Sequence, residues 1–449
     1  MMKVLLVRPI LLNLLTISSS MDCEPLELEY LFTACKEINV DAMIYDGIVE
    51  HRKFSDVLKK YRPDIVAMTG YITQENSMKK YAGISKRICP SCKVIIGGVH
   101  AQLNYKRLYF PDVDYLFRSE SMQSFQELIV AIENHASVST INGLCYRSAG
   151  EFVENELIPC DINDLPIPIR DFQRQHADQF RYLEYSAVAT LKTAVSCPYK
   201  CSFCYGTNLH GGSYQARSIE KVIDEIKLID AQTIFIVDSD FLVNENRLHQ
   251  FAAAIKSNNI HKAFICYARA DFIVNHSAVV HELCEVGFAY FLVGIEGIED
   301  SNLKSYDKLT SKEINESCIR ILNQNNAECI ALLIADLSFR RKDFKHVYAW
   351  IKQQKLNHVS MTVFTPIPPT TLYQKEKEKI FEKNIEKWDL AHLVIRPQNI
   401  SAFRFYRNYH LFILKAFLLG YKRGAYRFVN AKYILHLIAS YLKRRNTIK

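Results

Sequence analysis

The sequence has no run of eighteen or more apolar residues, so it predicts no membrane-spanning helix. No small-residue cleavage site follows the apolar residues 1–15, which read as a buried strand rather than a secretion signal. Without such a signal, the thirteen cysteines fit a reducing cytosol better than a disulfide framework. Cys89 and Cys92 form a lone C-x2-C with no second pair to complete a zinc site. No RNA-binding module is recognisable. After Asp389 there is no acidic residue, against twelve Lys or Arg, so this tail alone supplies the basic excess behind the net charge of +8.

What is present is ample core material. Of 449 residues, 49% are hydrophobic and 23% charged, the balance of a globular chain of about two to four domains. Residues 3–8, 41–46, 64–69, 93–98 and 114–117 read as short apolar strands. Residues 25–38, 54–61, 74–87 and 124–133 read as helices between them. This alternation implies an α/β fold with a doubly wound parallel sheet over residues 1–140. Such sheets take ligands at the carboxyl ends of their strands. Those ends are Thr69-Gly70-Tyr71 and Gly97-Gly98-Val99, the latter followed by His100, which reads as a solvated loop residue. Glycines there let a backbone approach a bulky ligand, although tight turns alone would use the same residues.

Residues 141–184, with Pro159, Pro166 and Pro168, read as a linker. From 185 to 375 the alternation resumes. Strands are expected over 185–193, 233–237, 263–268, 290–294, 329–334 and 358–364, and helices over 219–229, 248–257, 278–286 and 314–323. Six such units imply a partial (β/α)6 barrel, whose strand-end residues (Asp238, Asp240, Arg269, Asp271, Glu296, Asp336) face a reaction centre or cap helices. Residues 376–449 form a helical tail: a charged helix over 376–387, then basic, aromatic-rich helices over 403–419 and 431–445. The latter two suit either peripheral contact with a membrane surface or packing on the barrel.

Between strand and helix of the first barrel unit stand Cys197, Cys201 and Cys204, spaced C-x3-C-x2-C, with the next cysteine at Cys266. A structural zinc site wants four closed ligands, and a ferredoxin-type cluster a fourth thiolate. Three thiolates can hold three irons of a [4Fe–4S] cube and leave the fourth open to a chelating ligand. Chance clustering, or zinc, is the plain alternative.

With Phe203 before its last cysteine, this stretch resembles the signature of the radical S-adenosylmethionine (radical SAM) enzymes. The resemblance implies that the open iron binds SAM, which an electron from the cluster splits to a 5′-deoxyadenosyl radical. It also implies SAM-binding roles: Phe203 beside the adenine, Arg217-Ser218 at the opening of the first barrel helix, Asp238 near the methionine amino group, and Glu296 of V-G-I-E-G as a hydrogen-bond acceptor. The amino-terminal part resembles the cobalamin-binding domain of the B12-dependent branch of that family. The segments that carry this are P-L-x-L-x-Y-L (25–31), R-P-D-I-V-A-M-T-G (62–70), I-G-G-V-H-A (96–101) and D-Y-L-F-R-S-E (114–120). The D-x-H-x-x-G box is absent, so cobalt would carry no protein histidine. An empty sheet that keeps the fold is the alternative.

Together the resemblances imply a [4Fe–4S] cluster, SAM and cobalamin as cofactors, and an external electron donor of flavodoxin or ferredoxin type. They imply methyl transfer to an unactivated carbon, or a phosphorus, of a small-molecule or lipid-like substrate. Three further readings stay open: cyclisation or rearrangement without methyl transfer, tRNA modification, and a non-enzymatic electron carrier or zinc protein.

Overall fold

The computed structural model describes residues 1–10, 21–50, 52–430 and 433. The expected helix 431–445 and part of the apolar amino-terminal stretch therefore lie outside the described residues.

The first sheet comprises β1 (Lys3–Arg8), β2 (Asp41–Asp46), β3 (Ile65–Thr69), β4 (Lys93–Gly97), β5 (Tyr115–Phe117), β6 (Leu144–Ser148) and β7 (Glu151–Glu154). Its spatial order is β2-β1-β3-β4-β5-β6-β7. The first five strands are parallel. The last two join as an antiparallel hairpin, which carries the sheet past residue 140 to Glu154. The parallel strands are apolar throughout because both faces are covered. Val4 and Leu6 pack under α1 (Leu26–Glu37) and α5 (Met122–Glu133), while Leu5 and Val7 pack under α2 (Phe54–Tyr61) and α3 (Glu75–Ile88). Strand order reverses between β1 and β3, which makes that point the ligand-binding crevice expected of such a sheet. Gln74 braces it, donating to the Pro9 carbonyl (2.6 Å) and accepting from Tyr71 N (3.0 Å). Where the sequence suggested a loop at Gly98–His100, the chain forms α4 (Gly98–Asn104).

The second sheet has six parallel strands in chain order: β8 (Ala189–Leu191), β9 (Thr233–Ile236), β10 (Ala263–Arg269), β11 (Phe288–Glu296), β12 (Glu328–Ala335) and β13 (His358–Val363). Outside it lie α6 (Ile219–Leu228), α7 (Glu245–Ser257), α8 (Ser277–Glu285), α9 (Lys312–Gln324) and α10 (Arg341–Gln353). The expected strand 185–193 is broken, because Ala187 adopts φ 55° and turns the chain before β8 begins. The expected charged helix 376–387 also gives way, to short 3-10 turns. Ile380 bridges Ile395, and Ile385 and Trp388 are drawn into the barrel core. A last helix, α11 (Ala402–Lys422), packs on α10 and β13.

One buried ionic set joins the two sheets. Arg170, in the segment between them, donates to Glu24 Oε1 (2.7 Å), the Thr190 carbonyl (2.9 Å) and Glu225 Oε1 (2.6 Å). Glu225 also accepts from Arg217 (2.6 Å), and Glu29 accepts from Gln173 N (2.9 Å). Three carboxylates thus face two guanidiniums, nearly out of reach of water. Burial, then the neighbouring Glu24, pushes the Glu29 carboxyl up to about 9. Among the described residues, Glu24 Oε2 and Glu29 Oε2 have no hydrogen-bond donor, and a proton on Glu29 leaves the set of three carboxyls and two guanidiniums neutral.

Removing Arg170 strands buried charge, and Arg170→Met should destabilise the fold by about 3–5 kcal/mol. Between the ordinary carboxylate range and about 9, the folded chain holds on Glu29 a proton that the unfolded chain has released. Stability contributed by this group therefore falls as pH rises. The urea midpoint of the wild type relative to Glu29→Gln should drop from pH 6 to pH 9. A difference that rises over that range would contradict the assignment.

Candidate active site

The carboxyl ends of the two sheets meet across a crevice. His210 N donates to Gln102 Oε1 (3.2 Å), Asn104 Nδ2 donates to the Pro368 carbonyl (3.2 Å), and Lys192 Nζ lies 3.8 Å from Glu120 Oε2. Tyr71 projects into this space from the end of β3, within electrostatic reach of Arg8 and Glu27 on its own side and of Tyr205 and Tyr267 of the barrel. Its side chain is 54% accessible despite walls on both sides, so the crevice admits water.

On the barrel side, the cysteine loop is closed at its base by pairing of Ala194–Val195 with Gln215–Ala216. Ser202 pins its centre: its N–H donates to the Tyr306 carbonyl (3.1 Å) and its carbonyl accepts from Leu372 N (2.9 Å). The three thiols stay partly accessible. Burial pushes Cys197 up to about 12 and also raises Cys204, so an unloaded site favours protonated thiols there. Cationic or N–H donors offset this for a thiolate. Arg269 Nη1 donates to Cys201 Sγ (3.4 Å), and Gly206 N donates to Cys204 Sγ (3.4 Å). Among the described residues, no three His, Cys, Asp or Glu side chains close on a single metal ion. Three thiolates bound to separate corners of a cube need not converge on one point, so this donor set fits an iron–sulfur cluster better than a mononuclear ion.

Around the loop stand charged residues at strand ends. Arg269, at the end of β10, lies 4.0 Å over the Tyr199 ring and makes a two-point contact with Asp271 (2.9 and 2.8 Å). Glu296, at the end of β11, accepts from the buried Lys308 (3.0 Å). A Cβ at Gly294 would come within 2.5 Å of both Glu296 Oε1 and Lys308 Nζ, so a larger residue there would displace that ion pair. Asp240 accepts from Leu242 N through one oxygen, while its other has no partner. Burial pushes its carboxyl up to about 8 against the pull of Arg269 and Lys308. Phe203 meets the edge of Tyr306 (5.6 Å), whose hydroxyl reaches Asp336 (3.2 Å).

The structure revises several sequence-based assignments. Asp238 is buried and accepts from the backbone N–H groups of Thr193 and Ala194 and from the Thr193 hydroxyl, so it anchors the cysteine loop. Arg217 is enclosed against Glu225 and the Lys192 carbonyl, and Ser218 caps α6 through Lys221 N. Gly98 has φ 81°, and a Cβ there would meet Thr69 Oγ1 at 2.2 Å, so its glycine answers to the protein itself. Gly70 is likewise filled behind by Gln74 and Met78, whereas Gly97 and the half-buried Val99 border the open edge. His100 is buried and bonds Glu75 (2.8 Å), which Arg107 also holds (2.8 Å); it is no solvated loop residue. Arg269 and Asp240 are among the strand-end polar residues that the sequence leaves open between a reaction centre and a helix cap. Lys308 had no signal, since it lies in a loop and reaches the site only through the fold.

A groove of about 1050 Å³ runs under the amino ends of the barrel strands, by Asp230, Lys262 and Gly287. It lies opposite the cysteines and carries no part of this chemistry.

Comparison with known proteins adds independent findings. The B12 binding domain family matches residues 12–129, and the radical SAM superfamily matches residues 191–351. The hopanoid C-3 methylase of Methylococcus capsulatus is 24% identical over 393 residues, 85% of this chain and 74% of its own. The anaerobic magnesium-protoporphyrin IX monomethyl ester cyclase of Synechocystis is 23% identical over 325 residues, 71% of this chain and 65% of its own. Among solved structures, the cobalamin-dependent radical enzyme OxsB with aqua-cobalamin and SAM shares the fold at TM-score 0.72 and 13% identity, over 99% of this chain and 79% of that one.

If Arg269 stabilises negative charge on Cys201, its loss should favour the oxidised cluster. Arg269→Met should retain iron but lower the midpoint potential by an amount of the order of 50 mV, the one-electron equivalent of about 1 kcal/mol. Potentiometric EPR titration reads this directly. An unchanged potential would make the contact incidental.

Proposed function

Because the chain belongs to the radical SAM enzymes that carry an amino-terminal B12-binding domain, we propose that it transfers a methyl group to an unactivated carbon, or a phosphorus, of a small-molecule or lipid-like substrate. The observation that carries this reading is the shared crevice: a three-cysteine loop on one wall and the open edge of a parallel sheet, at its switch point, on the other. When bound, the cluster and SAM supply a carbon-centred radical and cobalamin supplies the methyl group.

The chain's own residues hold and shield these groups. Cys197, Cys201 and Cys204 hold the cluster. Glu296 and Phe203 line the SAM side, and we add Arg269 and Lys308, on their positions by Cys201, and Asp240, beside Cys197, to that set. Thr69, Gly70, Tyr71, Gly97, Gly98 and Val99 form the edge against which cobalamin would lie. For Gly70 and Gly98 the contribution is the shape of the backbone. His100, bonded to Glu75, is left as a structural residue. The electron comes from an external one-electron donor of flavodoxin or ferredoxin type.

A relative named as a methylase acts, by that name, on a hopanoid, and another is named as a phosphonate methyltransferase. A second reading, ring closure without methyl transfer, is favoured by the similar identity to the cyclase. One labelling experiment separates them. Cells expressing the protein are grown on methionine with a deuterated methyl group, and their extracts are compared by mass spectrometry with those of a Cys201→Ala strain. Methyl transfer predicts a product heavier by one labelled methyl group. An unlabelled product that has lost hydrogen would overturn it in favour of ring closure.

A further inference from the structure

Helix α11 was expected to choose between a membrane surface and the barrel; it has two apolar faces. One is buried: Phe405, Tyr409, Phe412 and Ala416 enter the barrel core, and the Tyr409 hydroxyl donates to the Met361 carbonyl of β13 (2.8 Å). The other faces outward. Phe403 is 76% accessible, Leu411 48%, Leu414 53%, Leu418 45% and Tyr421 47%. At about 100° per residue these five fall within roughly 80° of the helix circumference. Arg407 lies inside that stripe, and Arg404, Lys415 and Lys422, all exposed, run along one border. The helix is not long and apolar enough to cross a membrane.

We propose that this outward stripe docks the enzyme, lying flat, on the surface of an anionic lipid bilayer. Charge selects that occupant. From residue 390 onward the chain has no Asp or Glu, so residues 431–449, themselves basic, would add like charge if they covered the stripe. A second copy would bring the same positive face against itself. An anionic headgroup layer takes the cations while its acyl boundary takes Phe403 and the leucines, the usual seat of a basic amphipathic helix. The first turn of α11 also sits beside Phe344, near the carboxyl ends of the barrel strands. Docking would therefore present the crevice side of the barrel close to the bilayer. The surface stands independently of the methyl-transfer reading.

Flotation of the full chain on vesicles tests it. With phosphatidylglycerol mixed into phosphatidylcholine at low salt, the protein should float, and it should do so far less on phosphatidylcholine alone or at high salt. Leu414→Glu/Leu418→Glu leaves the buried face intact and should cut the bound fraction about tenfold or more, with iron content and thermal unfolding unchanged. A wild-type chain that stays with the soluble fraction overturns the proposal. So does a double variant that floats as well as the wild type, or salt-sensitive binding to RNA in place of vesicles.

Discussion

The buried set of Arg170 with Glu24, Glu29 and Glu225 fixes everything that follows in this structure. Glu24 and Glu29 flank the start of the first domain's α1, Glu225 sits on the barrel's α6, and Arg170 belongs to neither. A guanidinium can satisfy carboxylates from several directions at once in a fixed plane. Its burial makes any relative shift of the two sheets costly, because each displaced carboxylate would be left without a counter-charge in a poor solvent for ions. The same Glu24 oxygen takes the Thr190 N–H and hydroxyl, so the clamp reaches into β8, three residues before the Thr193 N–H that Asp238 holds. The cysteine loop thus starts from a strand whose position is set by the domain interface.

Fixed in this way, the crevice can concentrate charge. Arg269 and Lys308 approach Cys201, and Glu296, Asp271 and Asp240 stand against them. Alternating signs at strand ends suit a site that must accept a zwitterionic ligand beside anionic sulfur, since neither sign is left in excess for long distances. Between the two walls the lining is aromatic, with Tyr71 from the first sheet facing Tyr205 and Tyr267 of the barrel, a surface suited to a large ring system or substrate.

Local chemistry made much of this legible in the sequence. Strand and helix periods placed both sheets, and the three cysteines marked the loop, because each feature depends on residues near one another in the chain. What failed depended on distant partners. Asp238 and Asp240 are two residues apart, and nothing local tells which one Thr193 will engage. His100 looked solvated until Glu75 and Arg107 supplied its burial. Residues 376–387 have helical composition, but Ile385 and Trp388 are worth more in the barrel core than in a solvated helix. Asn408 is polar yet lies buried on α11, since the contact face is set by α10 and β13 rather than by hydropathy.

In this arrangement one clamped chain would present a cluster and cobalamin to the same crevice. Metal analysis tests it most directly, on full-length protein purified without oxygen from cells supplied with iron, sulfide and hydroxocobalamin. About four irons per chain are expected together with cobalt equimolar with the chain, and an EPR signal of reduced cobalt lacking coupling to a protein nitrogen. Iron at that level with no retained cobalt would contradict it.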